Sequence, residues 1–268
     1  MRASGSRRAD SPAMIASLPM YTRPELRAAN AAFWVQIRDA LRARGLEAPD
    51  TLDLEIGVWE AWESPQLCFS QTCNFPYRAR LHDAVTLIGA ADYGLEGAAP
   101  GHYYSEFVVR SEDAGKRPED FATARFAFNE GLSQSGWASP QNWAASRGFE
   151  FPASLQTGAH LQSARAVADG RADIAAIDAV TWRLLQRYEG FAAGLTAIGR
   201  TDHTPALSFI TRAGQDPAPY RDAITQAIAA LAPEHRQAIG IEAVIAIPAA
   251  TYLAIPTPPA PRIGAPAS

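Results

Sequence analysis

The sequence is poor in the residues that carry metal, redox or nucleic-acid chemistry. Its 268 residues include only two cysteines and five histidines, and none has the paired spacing of a structural zinc site. Lysine and arginine number 24 against 28 acidic residues, a net charge of −4. The basic excess of nucleic-acid-binding proteins is therefore missing. We expect no metal site, no cofactor and no nucleic-acid partner.

Cys68 and Cys73 stand five positions apart in LCFSQTCNFPY. Free cysteine is often buried as a small apolar residue. A short-loop disulfide is the alternative in an oxidising compartment. The sequence leaves both states open.

Long hydrophobic runs are also missing, so no segment has the length of a transmembrane helix. The N-terminal stretch MRASGSRRADSPAM is basic and rich in small residues but contains no apolar core segment. Arg7-Arg8 hint at a twin-arginine signal, whose hydrophobic stretch is absent. No secretory signal is recognisable, and we expect either a cytoplasmic protein or a sequence that lacks its leader.

Apolar runs alternate with helical patterns along the chain, which predicts an α/β fold. Residues 24–45 place apolar side chains at helical spacing, beginning with a proline and ending at a glycine. The layout predicts two α/β lobes, one from 14–107 plus 205–255 and the other from 108–204. Residues 1–13 and 256–268 are expected to be unpaired tails. A ligand would lie between the lobes, at the carboxyl ends of the strands.

The stretch FNEGLSQSGW, residues 128–137, first suggests a serine nucleophile. A nucleophile elbow needs Gly-x-Ser-x-Gly, yet Ser135 stands where the second glycine belongs after Gly131 and Ser133. No histidine has a spacing that identifies it as the base. The pattern therefore predicts no catalytic residue.

The same stretch suits an anion better. Ser133 and Ser135 add hydroxyls to the unpaired amides of a helix N-terminus, and Gly136 would let an oxyanion approach the backbone. The alternative is that Ser135 only caps the helix. Ser139-Pro140 is itself a good helix start, which indicates that the helix begins twice, with an irregular first turn.

Two further residues stand at helix starts. His160 follows Gly158 and could donate an imidazole N–H to the same oxyanion, although such a histidine is also common at surfaces. Asp178 ends the buried strand pattern ADIAAID, where it could cap the next helix or face the ligand. In the cleft it would favour a protonated anion or a substrate amine over a fully ionised anion such as sulfate.

Polar residues that follow predicted strands complete the candidate site. Tyr21 follows the first strand, and Gln71, Thr72 and Tyr77 follow the strand QLCF. Strand-end side chains reach a cleft of this kind. The tryptophans of VWEAWESP are instead expected to pack inside a lobe.

These motifs resemble those of the phosphate, phosphite and phosphonate-binding proteins of ABC importers, which have the type II periplasmic-binding-protein fold. The resemblance covers most of residues 14–255 and rests on ASLPMYTRPELRAANAAFW, FSQTCNFPY, NEGLSQSGW and GAHLQSARAVADGRADIAAIDAVTW. It implies a two-lobed α/β protein with a ligand cleft between the lobes.

Carried over residue by residue, the resemblance implies that Ser133, Gln134 and Ser135 hold the phosphoryl oxygens, assisted by His160. The family has a Ser-Thr-Ser type triplet at this place, and Gln134 departs from it. Further implied contacts come from Tyr21 and Tyr77 on the other lobe and from Asp178 near the ligand's substituent.

The implied function is capture of a small phosphorus oxyanion by a monomeric, non-catalytic protein that delivers it to an ABC permease. The resemblance implies a periplasmic location, although no signal peptide is visible. Two alternatives are a cytosolic enzyme or biosynthetic protein of this fold acting on a phosphorylated metabolite, and a ligand-sensing module.

Overall fold

A computed structural model describes residues 13–263 and contains two five-stranded sheets, which confirms the predicted two-lobed α/β fold. The first sheet has the order β1-β2-β11-β3-β12, formed by β1 (Ile15–Ala16), β2 (Leu67–Thr72), β3 (Val85–Asp92), β11 (Ser208–Arg212) and β12 (Ala243–Ile245). The second has the order β7-β6-β8-β5-β9, formed by β5 (Ser105–Arg110), β6 (Phe126–Phe128), β7 (Ala153–Gln156), β8 (Ile174–Asp178) and β9 (Leu195–Arg200).

A two-stranded antiparallel ribbon joins the lobes, with β4 (His102–Tyr103) paired to β10 (Thr204–Pro205). The chain enters the second lobe through β4 and returns through β10. The predicted boundary between residues 107 and 108 falls inside β5, which pairs with β8 and β9 of the second sheet from Ser105 onward. The second lobe therefore begins a few residues before the predicted boundary.

Helices cover both sheets. They are α1 (Arg27–Ala43), α2 (Val58–Trp62), α3 (Asn74–Pro76), α4 (Ser139–Ala145), α5 (His160–Ala168), α6 (Ala179–Tyr188), α7 (Ala218–Ala230), α8 (Pro233–Ile239) and α9 (Ala249–Leu253). The helix predicted for residues 24–45 is confirmed: a 3-10 turn over Pro24–Leu26 leads into α1, which buries its apolar face against the first sheet. None of the helices in residues 13–263 is both long and apolar enough to cross a membrane.

The lobes also share hydrophobic contacts. Phe75, which follows β2 of the first lobe, packs in the aromatic cluster of the second lobe with Phe107 and Phe128. From the second lobe, Val180 and Leu184 of α6 pack into the core of the first. The structure therefore has its lobes in contact.

The proline-rich segment after α9 crosses from the first lobe to the second. The carbonyl oxygen of Pro256 accepts hydrogen bonds from Arg78 and Asn142, and that of Pro259 accepts one from Trp137 at 3.0 Å. The prediction of an unpaired tail is therefore wrong for this stretch, because proline lacks an N–H but keeps a strong carbonyl acceptor. Predicted tail residues 1–12 and 264–268 lie outside the described part of the chain.

Candidate functional site

The candidate site lies where the strand ends of the two lobes face each other. Strands β1 and β2 are parallel in the first lobe, and β6 and β8 are parallel in the second. Their carboxyl ends lead to Tyr21, Thr72, Asn129 and Asp178 respectively. Ligands of open α/β sheets bind outside such strand ends.

Tyr21 and Asp178 connect the lobes directly. The Tyr21 hydroxyl donates to Asp178 Oδ2 at 2.9 Å. Tyr21 has a φ of 56°, in the left-handed region that non-glycine residues avoid, and its ring packs edge-on against Tyr93. Backbone strain of this kind is tolerated where surrounding contacts fix the residue, often at ligand sites. The structure thus brings together two of the predicted site residues.

Asp178 serves both roles that the sequence left open. Its Oδ1 accepts the amide N–H of Thr181 at 2.8 Å and so caps α6, while its Oδ2 accepts from Tyr21 across the cleft. The residue is only 2% exposed. Burial raises the pKa of Asp178 from its ordinary 3.8 to about 6.

Ser135 and His160 also meet, as predicted for a shared anion site. Ser135 Oγ lies 2.7 Å from His160 Nε2, which stands in the first turn of α5. His160 is half-buried, and its Nδ1 is buried without a hydrogen-bond partner within residues 13–263. Burial lowers the pKa of His160 to about 4. The imidazole is therefore neutral at physiological pH.

Ser133, rather than Ser135, caps the helical turn, and Gly136 has a neighbour that the sequence did not predict. Ser133 Oγ accepts the amide N–H of Gly136 at 3.0 Å, so Ser133 is the capping serine and this amide is already paired. A Cβ on Gly136 would stand 1.9 Å from Asn129 Oδ1 and 3.3 Å from His160 Cε1. The missing side chain makes room for Asn129 rather than for an oxyanion, which corrects the predicted role of Gly136.

The irregular helix start is confirmed. A π-helical turn spans Gln134–Ala138, and α4 begins at Ser139 with Pro140 in its first turn. Gln134, the residue that departs from the family triplet, is fully buried. Its Oε1 accepts from Arg78 Nη1, and its Nε2 donates to Ser139 Oγ at 2.9 Å. The Gln134 side chain is therefore held by protein groups at both ends.

The remaining predicted residues belong to the first lobe. Gln71 donates to the Tyr93 hydroxyl at 3.1 Å, and Thr72 is fully buried beside it. Tyr77 does not reach the cleft: it packs edge-on against Tyr252 in the hydrophobic core. The chain coils into a π-helical turn at Tyr77, which directs the tyrosine inward. Gln71 and Thr72 therefore support the site, and the predicted role of Tyr77 is corrected to packing.

Sequence reasoning missed three polar residues at the lobe junction: Tyr103, Ser105 and Arg78. Tyr103 is 1% exposed, and its hydroxyl has no hydrogen-bond partner in the described part of the chain. Burial, followed by the nearby Cys73 and Asp178, raises the pKa of Tyr103 well above its ordinary range. Ser105 Oγ donates to the carbonyl of Ser135 at 2.8 Å. For Tyr103 and Ser105, the available sequence signal was the polar run Tyr103-Tyr104-Ser105 leading into β5.

Both cysteines are free thiols, so the disulfide alternative is not adopted. Cys68 is buried within β2, whereas Cys73 lies beyond its end. Burial raises the pKa of both thiols to about 11. Among residues 13–263 no group of three or more His, Cys, Asp or Glu side chains is arranged to hold a metal ion.

Asp178 and His160 should give opposite pH dependences of stability. The folded-state pKa of Asp178 is raised from 3.8 to about 6, so its contribution is lost as pH rises through this interval. That of His160 is lowered from 6.5 to about 4, so its contribution is gained as pH rises between these values. The two nearly cancel in the native protein.

We therefore expect the free energy of unfolding of Asp178→Asn, in which only the His160 contribution remains, to rise by about 3 kcal/mol as the pH rises from about 4 to 6.5, at about 1.4 kcal/mol per pKa unit. His160→Gln should lose a similar amount over the same interval. Urea unfolding at several pH values measures both slopes. The exposed Ser154→Ala is the control and should follow the native profile. Parallel slopes in the two site variants would contradict the assignment.

A family search provides independent information. Residues 58–252 match the family described as "ABC transporter, phosphonate, periplasmic substrate-binding protein". This range contains every predicted site residue except Tyr21. The match confirms the resemblance that the sequence motifs suggested. A search of curated protein sequences found no match.

Solved structures share the fold. PhnD1 from Prochlorococcus marinus, in complex with methylphosphonate, has a TM-score of 0.64 at 15% identity, covering 90% of this chain and 94% of that chain. A Xanthomonas citri protein bound to ATP has a TM-score of 0.64 at 14% identity, with coverages of 90% and 93%. A binding protein component of an ABC phosphonate transporter from Pseudomonas aeruginosa has a TM-score of 0.58 at 15% identity, with coverages of 85% and 78%. At these identities the likeness establishes the fold alone.

Proposed function

Because the chain belongs to the family of periplasmic phosphonate-binding proteins of ABC transporters, we propose that it binds a small phosphorus oxyanion between its lobes. The family consists of non-catalytic solute-binding proteins. The proposed ligand is phosphate, phosphite or a phosphonate, and the proposed partner is the permease of an ABC importer. A periplasmic location for this chain is part of the same proposal.

The observation that carries this proposal is the unpaired hydroxyl of Tyr103. A buried hydroxyl without a partner costs about 1–3 kcal/mol, and native proteins rarely leave one. Two groups assigned to the site act on the pKa of this hydroxyl: the charge of Asp178 raises it, and the Ser135 side chain, as a hydrogen-bonding neighbour, lowers it. A phosphoryl oxygen bound at this point would accept the Tyr103 hydrogen.

Neighbouring groups supply the other contacts in this proposal. The Ser135 hydroxyl and His160 would bind the phosphoryl oxygens together with amides of the first turn at Gln134. Tyr21, which now donates to Asp178, could turn its hydroxyl to the ligand. Asp178 would accept a hydrogen from a protonated phosphoryl oxygen or from a substituent amine. Closure of the lobes over the ligand is the expected motion.

Calorimetry with phosphate, phosphite, methylphosphonate and 2-aminoethylphosphonate tests the proposal, with sulfate as the control. At least one phosphorus anion should bind with a stoichiometry of one, because each desolvated, charge-assisted hydrogen bond contributes about 1.5–3 kcal/mol. Sulfate should bind more weakly, since it carries no proton for Asp178 to accept. Absence of binding heat for all four phosphorus anions, with the protein folded by circular dichroism, would refute the function.

A further inference from the structure

Arg78 is a buried cation at the lobe junction whose hydrogen-bond acceptors are all neutral. The residue is 8% exposed and lies in the turn Tyr77–Leu81 that follows β2 and α3. Its guanidinium donates to four oxygen atoms from three parts of the chain: Asn74 Oδ1 at 2.8 Å, Gln134 Oε1, Pro256 O at 3.2 Å and Thr257 Oγ1 at 3.3 Å. Burial lowers the pKa of Arg78 to about 10, so it stays charged at neutral pH.

Arg78 differs from the other arginines by its burial: some of these pair with carboxylates, and those that also donate only to neutral oxygens, such as Arg212 and Arg221, are more exposed. Arg23, Arg125 and Arg200, all more exposed, each form an ion pair with a carboxylate, at 2.8, 2.7 and 3.1 Å respectively. Within residues 13–263 no carboxylate lies within ion-pair distance of Arg78. Burying a charge without a counter-charge is costly, and proteins normally offset that cost with a partner. The missing partner is therefore a feature that requires an explanation.

The position of Arg78 points to a bound anion as that partner. Gln134, which its guanidinium contacts, stands in the chain between Ser133 and Ser135. The charge of Arg78 also acts on the Tyr103 hydroxyl, in the direction opposite to Asp178. A cation and a carboxylate therefore both act on the groups of the proposed oxyanion site.

The guanidinium is fixed before any ligand arrives. It stacks on the Phe75 ring, 4.3 Å from the ring centroid, and the C-terminal segment holds it through Pro256 and Thr257. A pre-positioned charge loses little conformational entropy on binding and stabilises an anion more than a mobile surface lysine would.

We propose that Arg78 is a specificity-determining residue that compensates the charge of the bound phosphorus oxyanion and reduces the penalty that Asp178 places on its doubly ionised form. It acts through the electrostatic field beside the serine turn, where Asn74, Pro256 and Thr257 hold it in addition to Gln134. This inference rests on the proposed function. Gln134 replaces the hydroxyl residue of the family triplet with a side chain long enough to reach Arg78 across the junction.

Methylphosphonate is the probe, because a phosphonic group gains its second charge near neutral pH, much as a phosphate ester does. Calorimetric affinities are measured at about pH 6.5 and about pH 9 for the native protein, Arg78→Gln, Arg78→Lys and Gln134→Ala. Arg78→Gln should weaken binding about 10- to 100-fold at the higher pH, as expected for a lost interaction with a charged group. It should weaken binding much less at the lower pH.

The controls separate charge from structure. Arg78→Lys keeps the cation and should therefore retain the native ratio between the affinities at the two pH values. Gln134→Ala removes the hydrogen bond to Arg78 but not its charge, and should retain the same ratio. If Arg78→Gln does not fold, Arg78→Met, which can still cover Phe75, replaces it. Equal weakening at both pH values, or no weakening, would overturn this inference while leaving the proposed function intact. Failure of the native protein to bind any phosphorus anion would instead refute the function.

Discussion

A Ser135→Ala, His160→Gln double variant is expected to lose the thermal stabilisation that a phosphorus oxyanion gives the native protein. Ser135 Oγ and His160 Nε2 are 2.7 Å apart and form one polar unit on the second lobe. The variant removes the hydroxyl and the imidazole together. Because the remaining groups belong to other elements, the anion would keep only part of its hydrogen bonds.

The expected loss is large. A ligand at 100 times its dissociation constant stabilises a folded protein by about 2.7 kcal/mol. Loss of two charge-assisted hydrogen bonds, at about 1.5–3 kcal/mol each, would weaken binding by more than about 100-fold and remove most of this stabilisation. Thermal unfolding with and without methylphosphonate measures it.

Ser154→Ala, an exposed change on β7 in the same lobe, is the matched control and should keep the full ligand-induced shift. The double variant should unfold cooperatively without ligand, because Ser135 and His160 lie at helix starts rather than in the hydrophobic clusters. An undiminished shift in a folded double variant would place the site elsewhere.

The second large effect is expected from Gly136→Ala. The added Cβ would overlap Asn129 Oδ1 and crowd His160, so either Asn129 rotates or the helical turn moves. Overpacking of this kind costs about 1–3 kcal/mol. The same movement would displace Ser135, the preceding residue, from His160. We expect lower stability together with loss of methylphosphonate binding.

A double-mutant cycle with Asn129→Ala tests that cause. Truncating Asn129 removes the atom that the new methyl group would strike, so Gly136→Ala should cost less in the Asn129→Ala background. Gly115→Ala is the control, since a Cβ there meets no atom within 4 Å and the change should leave binding intact. Equal costs of Gly136→Ala in both backgrounds, measured by urea unfolding, would show that the contact with Asn129 is not responsible.

The strongest sequence predictions were those that depend on local pattern. The amphipathic spacing of residues 24–45 identified α1, and Ser139-Pro140 identified the second helix start. Asp178 at the end of an apolar run was correctly linked to a strand end and a helix cap, because both follow from neighbours within a few residues. The family motifs then indicated the two-lobed fold.

Predictions failed where the answer depended on a distant residue. Tyr77 was assigned to the cleft from its place after a strand, but contact with Tyr252, 175 positions later, directs it into the core. Gly136 was assigned to the anion, whereas Asn129 fills the space it leaves. The described end of the proline-rich segment was predicted to be unpaired, although donors on both lobes bind its carbonyls.

By itself, the sequence determined the α/β class, the lobe pattern, the family and the pairing of Ser135 with His160 as candidates for one site. Periodicity and short motifs carry that information because they act over a few residues. Only the tertiary structure decided that Tyr21 meets Asp178, that Tyr103 has an unpaired hydroxyl, and that Arg78 lies buried among neutral acceptors. Burial and charge compensation depend on which distant segments pack together, and no local pattern records that.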